Sequence, residues 1–217
     1  MSNNILKYSR DDRVKYISHL DFVRLFHRTV RRTGMNFMFS QGFNPHPIMT
    51  VAQPLSVGVT SDCEYMKVGF DGDYSEREVI DTINGSFPSG YRILAAKKVE
   101  GKEIDITRID RAVYIVEVEY EGTADIDGLL NNSELKVMKK SKSGVKESDI
   151  RPYIYSLDKI ADNNGILTLK MCIAIGSVYN LKPQSVIDAM EMYLKDFKAG
   201  FMNVHRSSMT IGDKELL

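Results

Sequence analysis

The sequence predicts an α+β fold with mainly antiparallel sheets, and three observations carry that prediction. Apolar residues alternate with a period of two in short runs, clearest over residues 64–70 and 112–120. Capped amphipathic runs, over residues 20–33 and again after Ser75, interrupt these strands in the first half. The same order of strand and helix then recurs beyond residue 105. Two tandem ferredoxin-like (βαββαβ) domains, 1–105 and 106–217, are therefore expected. The repeat is one of pattern, since the halves share no visible identity.

Taken in order, residues 5–9 and 14–17 read as short strands around a turn at 10–13. Ser18 stands at an N-cap with Asp21 three residues on, a variant capping box opening the helix 20–33, and Gly34 is its C-terminal stop. A loop runs through Pro47, followed by strands at 48–53 and 64–70. Ser75 caps a second helix with Val79, Ile80 and Ile83 on its apolar side and Asn84-Gly85 at its end; a strand at 91–98 closes the domain. Residues 99–110 mix charges with isolated isoleucines and read as a linker or an edge strand. In the second half come a strand at 112–120, a short helix at 125–131 and strands at 135–140, 150–157 and 166–175. Pro183 starts a helix with Val186, Ile187, Met190 and Leu194 on one side, and 203–211 is a last strand.

With 43% hydrophobic and 27% charged residues over 217 positions, the chain has the composition of an ordinary globular protein. Its net charge of zero is unevenly spread. The first 50 residues hold eight Lys and Arg against three Asp, a local +5 balanced by −5 over the rest, which points to a local anion site. The charged opening MSNNILKYSRDDR is unlike a signal peptide, and no run approaches the roughly 18 apolar residues of a membrane helix. Cys63 and Cys172 belong to no paired motif and read as reduced thiols, so a cytoplasmic protein without membrane contact is expected.

Residues 16–58 carry the chemistry. At about 100° per residue, Phe22, Val23, Leu25, Phe26, Thr29 and Val30 share one half of the helix. Arg24, His27, Arg28, Arg31 and Arg32 share the other, and no acid occurs from Phe22 to Gly34. A solvated basic face would explain this; so would a surface for a phosphate-rich partner. The loop Ser40-Gln41-Gly42-Phe43-Asn44-Pro45-His46-Pro47 follows. Turn chemistry accounts for its Gly, Asn and Pro, but not for His46 between two prolines after an Arg-rich helix. There Gln41, Asn44 and His46 offer hydrogen bonds and Phe43 a stacking surface. A second basic cluster, Lys139, Lys140, Lys142 and Lys146, surrounds a hairpin turn at Ser143-Gly144 and suits solubility. Arg151, beside Pro152, is placed to pair with Asp149 or to reach a ligand.

Catalytic signatures are missing. His19, His27, His46 and His205 lack metal-ligand spacing, no C-x-x-C occurs, and neither phosphate loop nor G-x-S-x-G elbow is present. Neither a metal nor a small-molecule cofactor is expected.

The blocks Ser18-His19-Leu20-Asp21, Arg31-Arg32-Thr33-Gly34, SQGFNPHP, Pro54-Leu55-Ser56-Val57-Gly58 and Asp149-Ile150-Arg151-Pro152 together resemble the bacterial radical-SAM-linked family of unknown function. Members of that family occur alone or C-terminal to cobalamin-binding and radical S-adenosylmethionine domains, and tend to be encoded beside ribosome and RNA-processing genes. This chain lacks the C-x-x-x-C-x-x-C of an iron–sulfur cluster, so the resemblance implies a radical SAM partner rather than a radical reaction of its own. The tandem fold is also similar to that of CRISPR repeat-RNA endoribonucleases and pseudouridine synthases, although no catalytic aspartate stands in a recognisable context.

Three readings remain. The favoured one is a non-catalytic RNA-binding or substrate-presenting accessory protein whose nucleic-acid contacts are Arg24, His27, Arg28, Arg31, Arg32, Gln41, Phe43, Asn44, His46 and Arg151. The others are a metal-independent RNA-processing endoribonuclease using His46 or His19, and a purely protein–protein adaptor.

Overall fold

A computed structural model describes residues 2–99, 104–141 and 144–217. The chain is of mixed α+β type with mostly antiparallel sheet and few helices. It divides into one unit of Met1–Ile109 with Met209–Leu217 and another of Asp110–Ser208. The first unit thus runs four residues past the boundary at 105 and regains the end of the chain.

In the first unit, β1 (Ser2–Arg10) lies between β3 (Val59–Phe70) and β4 (Tyr91–Val99), and β2 (Met49–Val51) lies on the far side of β3. All three pairings are antiparallel, with Leu6 opposite Met66 and Ala96 and with Val51 also opposite Met66. Helix α1 (His19–Thr33) connects β1 to β2, and α2 (Glu76–Ser86) connects β3 to β4. Phe22, Phe26 and Val30 of α1 and Val79 and Ile83 of α2 join Leu6, Val68, Phe70 and Ile93 of the sheet in one core. Tyr8 stacks on Phe22 at 4.9 Å, and Phe26 meets Phe37 and Phe87 edge-on at 6.3 and 5.9 Å.

Two local expectations are corrected here. Residues 14–17 are not a strand: a 3-10 turn spans Asp12–Val14, capped by the Asp11 side chain. Arg10 is the reason, because its guanidinium donates to the carbonyls of Val14, Lys15 and Ile17 at 3.3, 2.7 and 2.5 Å and gathers the segment into a turn. The second helix does not stop at Asn84-Gly85 but includes Gly85 and ends when the Phe87 amide donates to Ile83 at 2.8 Å. Asn84 instead exchanges two hydrogen bonds with the backbone of Ile93, tying α2 to β4.

In the second unit, β5 (Arg111–Glu121) pairs antiparallel with β9 (Ile166–Ala174), which pairs antiparallel with β8 (Ile154–Asn163). Most of β10 (Lys198–Ile211) lies on the other side of β5. The short α3 (Ile126–Leu130) and α4 (Pro183–Tyr193) complete it, with Val186, Ile187 and Met190 buried. A separate antiparallel hairpin pairs β6 (Lys136–Ser141) with β7 (Gly144–Asp149). Lys142 and Ser143 lie outside the described residues, as do residues 100–103 of the linker and the side chains of Lys139 and Lys140. At the chain end, β11 (Lys214–Glu215) folds back on the last residues of β10.

The strand expected over 150–157 is also corrected. Asp149 Oδ1 accepts from the amides of Leu135 and Arg151 at 2.8 and 3.0 Å, which turns the chain. A 3-10 turn then spans Arg151–Tyr153 with Pro152 in its first turn, and β8 begins only at Ile154.

Candidate functional site

Helix α1 begins as its sequence dictates. The Ser18 hydroxyl oxygen accepts from the Asp21 amide at 3.2 Å and its proton goes to Asp21 Oδ2 at 2.7 Å. The Ser18 hydroxyl, followed by the Arg24 guanidinium, holds the Asp21 carboxyl below its usual range. At the other end Gly34 adopts φ 79°, the left-handed stop for which glycine carries no steric penalty.

Phe22, Phe26 and Val30 are buried while Arg24, Arg28, Arg31 and Arg32 are exposed, so the helical period separates core from solvent as expected. The basic residues of the first 50 are not equivalent, however. Arg10 is buried at 4% exposure. Arg13 pairs with Asp11, Lys15 with Asp12 at 2.8 Å, and Arg24 with Asp21 at 3.2 Å. Arg32 Nη2 donates to the Ser86 carbonyl at 2.7 Å and to Thr29 Oγ1 at 3.2 Å, bracing α1 against the end of α2. Arg28 and Arg31 are left with no hydrogen bond or ion pair among the described residues. These two are the uncommitted charges of the stripe.

His27 faces inward from the edge of that stripe. Its ring meets Phe37 edge-on at 5.3 Å, and its Nε2 is buried without a partner among the described residues. Burial, seconded by the Arg31 guanidinium, lowers its pKa; burial alone lowers that of His19. An unfolded histidine, titrating near 6.5, therefore binds its proton before the folded one does. Stability from both groups is full above about pH 6.5 and declines as pH falls below it. Urea midpoints should drop on acidification across that window, and the combined His19→Asn and His27→Asn variant should lose much of the slope.

The loop after α1 is a projecting hairpin. Phe37 bridges to Phe70, Phe39 bridges to Pro47, and the Met38 amide donates to Gly69 at 2.8 Å. Beyond this root the Ser40 amide donates to the His46 carbonyl at 2.9 Å, and Ser40 Oγ lies 3.0 Å from His46 Nδ1. Gln41, Gly42, Phe43, Asn44, Pro45 and His46 form the exposed tip, with Phe43 fully in solvent and Gly42 at φ 123°. Arg151 is in the second unit and half-buried. Its Nε donates to the Leu130 carbonyl at 3.2 Å and its Nη1 to Ile154 at 3.4 Å, rather than to Asp149.

Sequence reasoning missed a second feature of the first unit. A cavity of about 10 Å³ is lined by Tyr8, Arg10, His19, Phe22, Glu64 and Tyr91 together with Val51, Pro54 and Leu55. That is room for about one water molecule. Arg10 and Glu64 are charged residues at strand positions that alternation assigns to core, and only 4% and 1% of their surfaces are exposed. Tyr91, 6% exposed, has a buried hydroxyl with no partner among the described residues. Burial raises its pKa and the nearby Arg10 charge opposes the shift. A buried, unsatisfied hydroxyl costs about 1–3 kcal/mol. Tyr91→Phe should therefore raise unfolding stability by up to about that amount, read as a higher denaturant midpoint. Lower stability would mean the hydroxyl is already well bonded.

His19 lines this cavity and His46 sits at the loop tip; no contact joins them among the described residues. No group of three or more His, Cys, Asp and Glu able to hold a metal ion occurs among the described residues. Among those residues no helix is long and apolar enough to cross a membrane.

Among solved structures, the chain resembles a chain of the crystal structure of a Cbf5-Nop10-Gar1 complex, at 6% identity and a TM-score of 0.54 over 95% of this chain and 48% of that one. It likewise resembles a chain in the structure of an H/ACA RNP bound to a substrate RNA containing 2'-deoxyuridine, at 6% identity and a TM-score of 0.51 over 98% and 49%. The chain spans about half the length of these relatives, and at such identity the likeness is one of fold. No curated protein matches it. A bacterial family profile does match, over residues 4–183, and the chain belongs to that family, described as Uncharacterized protein conserved in bacteria (DUF2344).

Proposed function

We propose that the chain binds single-stranded RNA on the α1 face of its first unit and presents it, as a non-catalytic cytoplasmic accessory protein, to a radical SAM partner. The observation that carries this reading is the solvent face of α1. Arg24, Arg28 and Arg31 stand exposed on it, no acid occurs from Phe22 to Gly34, and Arg28 and Arg31 have no partner among the described residues. Guanidinium groups left uncommitted in this way suit phosphate oxygens, which take two parallel N–H donors. The exposed Phe43 supplies a stacking surface, and Gln41, Asn44 and His46 supply hydrogen bonds around it.

A tandem ferredoxin-like architecture fits the same reading. It is supported by the strand order β4-β1-β3-β2 in the first unit and β10-β5-β9-β8 in the second, each built with two helices. One of the structures that the chain resembles is that of an H/ACA RNP bound to a substrate RNA, which supports the reading by analogy of fold. The radical SAM partner rests on the resemblance of the SHLD, SQGFNPHP and DIRP blocks. Recovery of the tagged protein from its native cell, with sequencing of bound RNA and identification of bound protein, tests both halves. Absence of RNA from the wild type and from the Arg28→Ala/Arg31→Ala variant alike would leave an adaptor.

The 3.0 Å contact between Ser40 Oγ and His46 Nδ1 favours a second reading, a metal-independent endoribonuclease with His46 as base. That reading requires RNA cleavage in the presence of chelator, abolished by His46→Ala. The accessory reading requires no cleavage, with binding only slightly weakened by His46→Ala.

A further inference from the structure

Three apolar residues stand in solvent where α1 begins: Tyr16 is 70%, Leu20 64% and Val57 56% exposed. Tyr16 lies against Gly58, the neighbour of Val57, and Leu20 is in the first turn of the helix. The turn that carries Tyr16 is held from both sides. Arg10 donates to the carbonyls of Lys15 and Ile17 at 2.7 and 2.5 Å, and the Gly58 amide donates to the Lys15 carbonyl at 2.7 Å. Gly58 reaches that contact at φ 87°, which glycine adopts without strain. Burying a guanidinium opposes folding unless it is fully engaged. Here the engagement of Arg10 secures a turn that holds an aromatic ring out in water. A ring fixed in this way loses little freedom when a ligand covers it.

The charges nearest the ring are already matched, since Lys15 pairs with Asp12 at 2.8 Å and Arg24 with Asp21 at 3.2 Å. Lys15 Nζ also stands 5.6 Å from the Tyr16 ring centroid, a cation–π contact. Such a patch suits a flat, uncharged group rather than a phosphate. At about 100° per residue, Leu20 shares its line on α1 with Arg24 and Arg31, and Arg24 follows Leu20 by about 6 Å along the axis. The apolar patch therefore continues the arginine stripe at its N-terminal end. We propose that Tyr16, held out beside Leu20 and Val57, is a stacking platform for one base of a single strand whose phosphates lie on Arg24, Arg28 and Arg31. The proposal rests on the RNA-binding reading of α1 and adds a contact at its other end from the SQGFNPHP hairpin. Stacking of this kind accepts any base, because every base has a π face.

Trp occurs nowhere in the chain, so Tyr16→Trp places a single fluorescent reporter at the platform. That variant is titrated at low salt with a short oligouridine, the matching oligoadenosine and an abasic strand of equal length. Both base-bearing strands should quench its emission, and the abasic strand, bound through phosphates, should leave it near the free value. With labelled strands, Tyr16→Ala should weaken oligouridine and oligoadenosine roughly tenfold, the scale of one stacked base, with abasic affinity and salt slope unchanged. Tyr16→Phe should bind as wild type does, because the ring and not the hydroxyl makes the contact. Arg28→Ala/Arg31→Ala should weaken all three strands alike. Binding with a normal salt slope but without quenching, or an equal loss on the abasic strand in Tyr16→Ala, would overturn the platform and leave RNA binding standing. No binding of any strand at low salt would overturn both.

Discussion

Replacing Phe26 with alanine is expected to lower the free energy of unfolding by about 3–5 kcal/mol, the range for deleting a buried aromatic ring. Phe26 is fully buried and meets Phe22, Phe37 and Phe87 at ring distances of 6.3, 6.3 and 5.9 Å. Those partners come from the helix itself, from the root of the SQGFNPHP hairpin and from the segment after α2. No neighbouring ring can fill the gap without leaving its own contacts, so a cavity should remain. Phe26 therefore joins the arginine helix to the loop that follows it, and its loss should loosen the loop root together with the fold. Equilibrium urea unfolding reads the effect; a loss under about 1 kcal/mol would mean the core collapses around the site.

Much of the first unit was legible because its signals are local. Ser18 and Gly34 bound α1 by cap chemistry, Ser75 and Glu78 open α2 with a full capping box, and the apolar period of α1 separated Phe22, Phe26 and Val30 from Arg24, Arg28 and Arg31. Failures occurred where a side chain reached for distant backbone. Arg10, collecting three carbonyls, turned an expected strand into a 3-10 turn. Asp149, accepting two amides, turned the chain at the end of β7 and delayed β8. β7 itself was missed because its exposed GVKESD sequence has no apolar alternation to reveal it.

The candidate site divides in the same way. Exposure of the stripe follows from helical geometry, whereas the engagement of Arg32 with Ser86 and of Arg151 with Leu130 depends on elements 54 and 21 residues away. Arg10, Glu64 and Tyr91 come from three strands, and only the sheet brings them to one cavity. The available signal was modest: Arg10 and Glu64 are charges in strands where the pattern asks for apolar side chains, which marks either a buried ion or a ligand site.

The largest functional effect should come from removing Arg28 and Arg31 together. Each single-strand phosphate neutralised contributes about −0.7 to the slope of log affinity against log salt. Arg24, Arg28 and Arg31 together should give a slope near −2, with the Arg24 share reduced by its pairing to Asp21. Titration of a fluorescent single-stranded RNA over several salt concentrations, wild type against Arg28→Ala/Arg31→Ala, measures this directly. The account predicts a slope flattened by about 1.4 in the double variant, with weaker binding at every salt concentration. An unchanged slope, or no binding by wild type at low salt, would contradict it.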